Sequence, residues 1–412
     1  MRIGLGHGNG SRIESARHRH WAQEGQPCHI GVTPTSRSSE PAPVVNQNHN
    51  PEKVNVAAAR DRLIALSREA VAIAIAGDIK RGLAQAIDAR RQARDSGDAM
   101  GELAALNACA RCHSLRNDSI ASLSAGTDAA ALAGRLGDVH ALAHALCSIA
   151  NTAFVLQLMD ESRQIAARTA AVSAGLRDDD LECRARQVYG VILGDLGCFD
   201  EAAGEIALAL AAARRHGLAA LEYRVQANAA SLARKRARFH ARQGDPQRML
   251  AAADEAMQEA ARIIVIAQQE KIQALEITMS ALQGEMLWLR GDTAGAIART
   301  SYAIALASRN RQFSNIPPAS LRLASFHRTQ GQISLAREAL QEGLHSAESL
   351  RPTFRIAEIC EAIAACEEAN GDGLAAMSWR DRAQEEQVSF SLEREKARGY
   401  LRRIIDELND CT

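Results

Sequence analysis

One short turn recurs through most of this chain and limits what it can fold into. Gly-Asp stands at 77–78, 244–245, 291–292 and 371–372, each time between two Ala- and Leu-rich stretches. Glycine takes the left-handed conformation that ends a helix, and the following Asp caps the next one. At Pro246, directly after Asp245, the missing N–H costs nothing because the position is the first of a helix. The unit is therefore a helix hairpin. Equivalent turns fall at Gly77, Asn117, Gln157, Gly197, Gly244, Gly291, Gly331 and Gly371, separated by 40, 40, 40, 47, 47, 40 and 40 residues. Seven extra residues are about two helical turns, so the longer spacings read as lengthened helices that keep their packing face. Turns between hairpins are expected near Gly97-Asp98, Gly137-Asp138, Gly217, Arg311 and Arg351. Eight two-helix units then fill residues 52 to about 388.

Composition agrees with this pattern. Aromatic residues are 3 % of the chain against 47 % hydrophobic overall, so the core must be built from Ala, Leu, Ile and Val. Small, straight-chain helix formers suit close helix–helix contact. Lys plus Arg equals Asp plus Glu at 49 each, which argues against a globally basic nucleic-acid binder. No apolar run approaches the ~20 residues needed to cross a bilayer. The N-terminus lacks the apolar stretch of a secretory signal, so a reducing cytoplasmic setting with free thiols is expected.

Residues 1–51 differ from the rest. They are rich in Gly, Ser, His and Asn, carry Pro27, Pro34, Pro41, Pro43 and Pro51, and read as a disordered tail. His7, His18, His20, Cys28 and His29 could collect a metal there, but a solvated tail is the simpler reading, and no metal site is expected. At the other end, Ala397, Leu401, Ile404 and Leu408 follow 4-3-4 spacing, a short a/d seam. Residues 389–412 therefore form a helix that either caps the solenoid or pairs two copies as a homodimer.

The fourth unit, Y-G-V-I-L-G-D-L-G-C-F-D-E-A-A-G-E-I-A-L-A-L, resembles a tetratricopeptide repeat: Gly190 on the first helix, Leu196-Gly197 at the turn, then Phe199, Ala202 and Ala209. Other units match in part, through Gly284, Ala296 and Ala303, through Ala324 and Ala336, and through Ala364, Ala376 and Ala383. The resemblance implies an all-α, right-handed superhelical solenoid of about eight hairpins. Its 40-residue period is similar to that of input regions in bacterial signalling proteins, including those feeding GGDEF diguanylate cyclase domains.

Cys109-Ala110-Arg111-Cys112-His113 has the C-x-x-C-H spacing of c-type haem attachment. In the repeat register it falls mid-helix, with Ala110 at the close-contact position and the two cysteines on one face as small core residues. No cofactor is expected. No nucleotide-binding, zinc-protease, serine-hydrolase or kinase signature occurs, nor G-G-D-E-F, so catalytic residues are not expected either.

What remains is a surface. The family's groove-facing positions, carried onto this chain, give Asn107, Arg111, His144, Asn151, Arg184, Gln187, Arg234, Arg238 and Arg328, with Glu358, Glu361 and Glu368 at the C-terminal end. Such a groove suits an extended peptide or protein partner with acidic residues, Arg gripping carboxylates and Asn holding the peptide backbone. The expected function is a non-catalytic protein-interaction scaffold or signalling adaptor. Two other readings stand beside it: the input region of a diguanylate cyclase without its output domain, and a nucleic-acid-binding regulator using R-K-R-A-R, residues 234–238.

Overall fold

The computed structural model describes residues 51–75, 78–350 and 353–410. The expected tail with its His/Cys set, and the turns at Gly77 and Arg351, lie outside the described residues. Pro51 opens the first helix instead of closing the tail.

Among the described residues there are sixteen α-helices and no strand. They pair consecutively: α1 (Pro51–Ile75) with α2 (Ile79–Asp95), α3 (Ala99–Leu115) with α4 (Ser119–Leu136), α5 (Val139–Val155) with α6 (Met159–Ser173), and α7 (Asp179–Asp195) with α8 (Phe199–Arg215). The pairing continues with α9 (Ala219–Gln243) and α10 (Pro246–Gln269), α11 (Gln273–Leu289) and α12 (Thr293–Arg309), α13 (Ile316–Thr329) and α14 (Ile333–Glu348), and α15 (Arg355–Ala369) and α16 (Gly373–Asp410). The arrangement is a right-handed tetratricopeptide-like solenoid of eight hairpins. The two longer sequence spacings are absorbed where the repeat allows, in α9 with 25 residues and α10 with 24, against 17 for their neighbours α8 and α11.

Local chemistry sets the ends. Asp78, Asp118, Asp138, Asp178, Asp245, Asp292 and Asp372 each accept a backbone N–H three residues on, at 2.8–3.3 Å. Each of these bonds satisfies one of the donors that a helix start leaves open. Before several of them the chain turns left-handed, at φ 66° for Gly137, 69° for Gly244 and 86° for Gly291. Asn117, Gln157, Arg177, Lys271 and Arg311 adopt the same conformation without glycine's freedom. An L-residue there costs roughly 1–2 kcal/mol, against roughly 0.5–1 kcal/mol of extra chain entropy for glycine. We therefore expect Gln157→Gly to stabilise the fold by about 0.5–1 kcal/mol, read as a raised urea midpoint at unchanged slope.

Small residues let paired helices cross closely. A Cβ on Gly190 would stand 3.0 Å from Ile206 Cγ1 and 3.2 Å from the Ala202 carbonyl, and one on Gly82 only 2.5 Å from the Ala70 carbonyl. Ala110, Ala202, Ala209, Ala296, Ala303, Ala336, Ala364 and Ala376 are fully buried at the matching contacts. Cys109 and Cys112 belong to this packing: Cys109 joins a cluster with Ala70, Ala86 and Ala125, Cys112 one with Ala74 and Leu83, and burial pushes the Cys109 thiol up to about 11.

The solenoid also closes on itself. α16 runs unbroken for 38 residues, packs on α15, and then reaches back to α4 and α6. The a/d seam is spent inside the chain: Ala397, Leu401 and Ile404 are buried with Leu123, Leu146, Leu156 and Ile165, and Leu408 packs against the same cluster. Arg394 donates to the Gln157 carbonyl at 3.0 Å, and Arg398 pairs with Glu161 at 3.1 Å, both across 237 residues of sequence. One contact thereby serves the strained Gln157 turn as well.

Candidate binding groove

The odd-numbered helices line the concave side. Three of the cavities along it share walls. The largest, about 1140 Å³, lies between α5, α7, α9, α13 and α15. The second, about 680 Å³, opens among α1, α3, α5 and α7. The third, about 450 Å³, joins them, sharing Arg111 and Arg184 with one and Val191 and Asn228 with the other. Because hairpin eight faces hairpin three across this space, Phe354 and Glu358 stand on the same cavity as Phe154 and Gln157.

Of the residues expected from sequence, Arg111, Asn151, Arg184 and Gln187 come together in the joining cavity. Asn107 and His144 line its neighbour, and Arg234 and Arg238 the largest, with Glu358 and Glu361 opposite. Two stand apart. Arg328 is exposed in the last turn of α13 and lines none of these cavities, since the groove face of that helix is Pro318, Leu321, Arg322 and Ser325. Glu368 pairs with Arg380 at 2.6 Å and lines none of them either.

Arg111 is the unusual member. Its Nε is buried with no hydrogen-bond partner, and no ion pair forms at its guanidinium among the described residues. Burial lowers its pKa, and the charges of Arg184 and Arg224 add to that. Next to it the Asn107 Oδ1 is also buried without a partner. Arg184 is bonded to Asp180 one turn earlier. Burial, Arg184 and His140 hold His144 down to about 4, so at neutral pH it is an uncharged imidazole. The amides of Asn151, Gln187 and Asn228 complete the lining. A buried cation without a counter-charge is costly unless something supplies one.

The second basic cluster is satisfied internally. Glu285, 7 % exposed on α11, accepts Arg322 at 2.9 Å, Arg234 at 3.1 Å and Arg238 at 3.3 Å. Burial alone would raise its carboxyl, but the three guanidiniums outweigh that and hold it below its usual range. Burial pulls Arg322 to about 10, which leaves it charged at neutral pH. The rest of the 234–238 run is committed too: Lys235 to Asp195 at 2.9 Å and Arg236 to Glu255 at 2.5 Å.

Sequence reasoning missed Arg224, Asn228, Glu285 and Arg322. The repeat carried a signal for two of them, because Arg184 and Val188 moved forward by 40 residues become Arg224 and Asn228. His140 and Asp178 were missed as well; they meet beside His144, on the wall of the second cavity.

Helix hairpins stacked around a concave face place this protein in the tetratricopeptide-like class of solenoids. No family model matches the chain, and neither does any curated protein. Solved structures do. A Rap protein complexed with competence and sporulation factor superposes with a TM-score of 0.58 at 11 % identity, over 85 % of this chain and 98 % of that one. The apo form of RapI gives 0.53 at 10 %, over 70 % and 99 %. The Rap conjugation gene regulator of plasmid pLS20, in complex with the Phr* peptide, gives 0.51 at 14 %, over 74 % and 78 %. At these identities the likeness is one of fold. Among the described residues no helix is long and apolar enough to cross a membrane.

Proposed function

We propose that this protein is a non-catalytic, peptide-binding signalling adaptor whose ligand is an extended peptide bearing a carboxylate, held in the groove at Arg111. The carrying observation is Arg111 itself, a half-buried side chain on a cavity wall whose Nε is buried without a partner and which pairs with no carboxylate among the described residues. A peptide carboxylate would satisfy it in the bidentate geometry that arginine favours, while Asn151, Gln187 and Asn228 bond the peptide backbone from adjacent hairpins. The fold neighbours solved with the Phr* peptide and with competence and sporulation factor support a peptide as ligand. Nucleic-acid binding through residues 234–238 gains nothing here, because each of the four basic residues already holds a carboxylate.

A charge swap tests this reading. Selection of a randomised peptide library on the wild-type protein should enrich Asp- and Glu-containing sequences. Arg111→Ala should weaken the selected peptides by roughly 10- to 100-fold, the worth of one hydrogen-bonded charge at about 1.5–3 kcal/mol. On Arg111→Glu the selection should turn to basic peptides. Enrichment of the same sequences on all three proteins would contradict the assignment.

A further inference from the structure

We propose that His140, His144 and Asp178 form a binding site for one divalent transition-metal ion, Zn²⁺ by its donor set, on the groove wall between hairpins three and four. The site goes beyond the peptide reading and stands whether or not that reading holds.

The two histidines are four residues apart on α5, so their rings leave one face of the helix. Their centroids are 4.9 Å apart at 65°. Asp178 caps α7, in the next hairpin. Its Oδ1 is fixed by the Leu181 N–H at 3.0 Å, which leaves Oδ2 facing both imidazoles, 2.5 Å from His140 Nε2 and 3.8 Å from His144 Nε2. The three donor atoms lie within 4.8 Å of one another.

Around a tetrahedral ion with bonds near 2.0–2.1 Å, donor atoms sit about 3.3–3.5 Å apart. Rotamer shifts supply this spacing: the His140–Asp178 pair opens by about 1 Å, the His144–Asp178 pair closes by about 0.5 Å, and the two imidazole nitrogens, within 4.8 Å of each other, close by about 1.5 Å at most. Two imidazoles and one carboxylate suit Zn²⁺ and leave a fourth position open. That position faces a cavity of about 680 Å³. The Leu181 N–H supplies the outer contact that orients a ligating carboxylate. The nearby acids are otherwise engaged, Asp180 with Arg184 and Asp138 with the Ala141 N–H. The competing arrangement is a plain His–Asp hydrogen bond between α5 and α7, and metal titration separates the two.

Chelator-treated full-length protein is titrated with Co²⁺ and then Zn²⁺. One equivalent of Co²⁺ should bind with the visible spectrum of nitrogen and oxygen ligands, without a thiolate charge-transfer band, and Zn²⁺ should displace it. His144→Ala should lower the affinity by at least tenfold. Asp178→Asn, which keeps the helix cap, should do the same at an unchanged circular dichroism spectrum. Absence of saturable binding to the wild type would overturn the proposal. So would affinity unchanged in both variants, or a thiolate band placing the ion at cysteines.

Discussion

Glu285→Ala should destabilise the protein by about 3–5 kcal/mol, the usual cost of removing one partner from a buried ionic cluster. The substitution leaves Arg234, Arg238 and Arg322 facing one another around a site that has lost the carboxylate all three share. A coupling measurement separates this cause from simple truncation. Adding Arg322→Leu to Glu285→Ala should recover part of the loss, because it removes one of the stranded charges, the one whose pKa burial already lowers. Strict additivity would mean the cluster is not coupled. The pH dependence has a definite sign as well. The carboxyl is held below its ordinary value of 4.5 in the folded state. Its contribution is therefore complete above that value and is lost as pH falls through it and the lower folded one. Urea midpoints of the wild type should fall over that acidic window, and those of Glu285→Gln should fall less.

Leu401→Asp should release the end of α16 while the hairpins stay folded. Leu401 is fully buried against α4 and α6, and truncation of such a residue alone costs about 2–5 kcal/mol before any charge is buried. Each hairpin of a solenoid is stabilised chiefly by its neighbours, so the loss should be local. Residues 390–410 should lose hydrogen-exchange protection and gain proteolytic cleavage relative to the wild type, with helix content elsewhere retained. Cooperative collapse of the whole chain would show that the closure is part of the folding core.

These two sites also mark the limit of what the sequence made visible. The hairpins were legible because many boundaries carry local chemistry: Gly or Asn in the left-handed turn, Asp at the cap, a small residue at the crossing. The turn at Lys271 carries no such signature and the one at Arg177 only the Asp178 cap, since both residues enter a conformation that their type disfavours. In the groove, Arg111, Asn151, Arg184 and Gln187 were expected from the tetratricopeptide resemblance and its groove-facing positions, and they came together on one cavity wall. Arg328 did not, because α13 is a 14-residue helix whose groove face ends at Ser325. The closure by α16 joins residues 237 apart. Its apolar seam was plain, but whether it met a second copy or this same chain depends on how far the superhelix turns. Glu285 was invisible for a related reason. One acid on α11 becomes a hub only when α9 and α13 bring their arginines to it.

The proposed entry of ligand at Arg111, on the odd-numbered helices, is read out by hydrogen exchange with and without a library-selected acidic peptide. Protection should appear in residues 103–115, 141–155 and 181–193, with the even-numbered helices unchanged, and should vanish in Arg111→Ala. Protection confined to the even-numbered helices or to α16, or protection that survives Arg111→Ala, would contradict it.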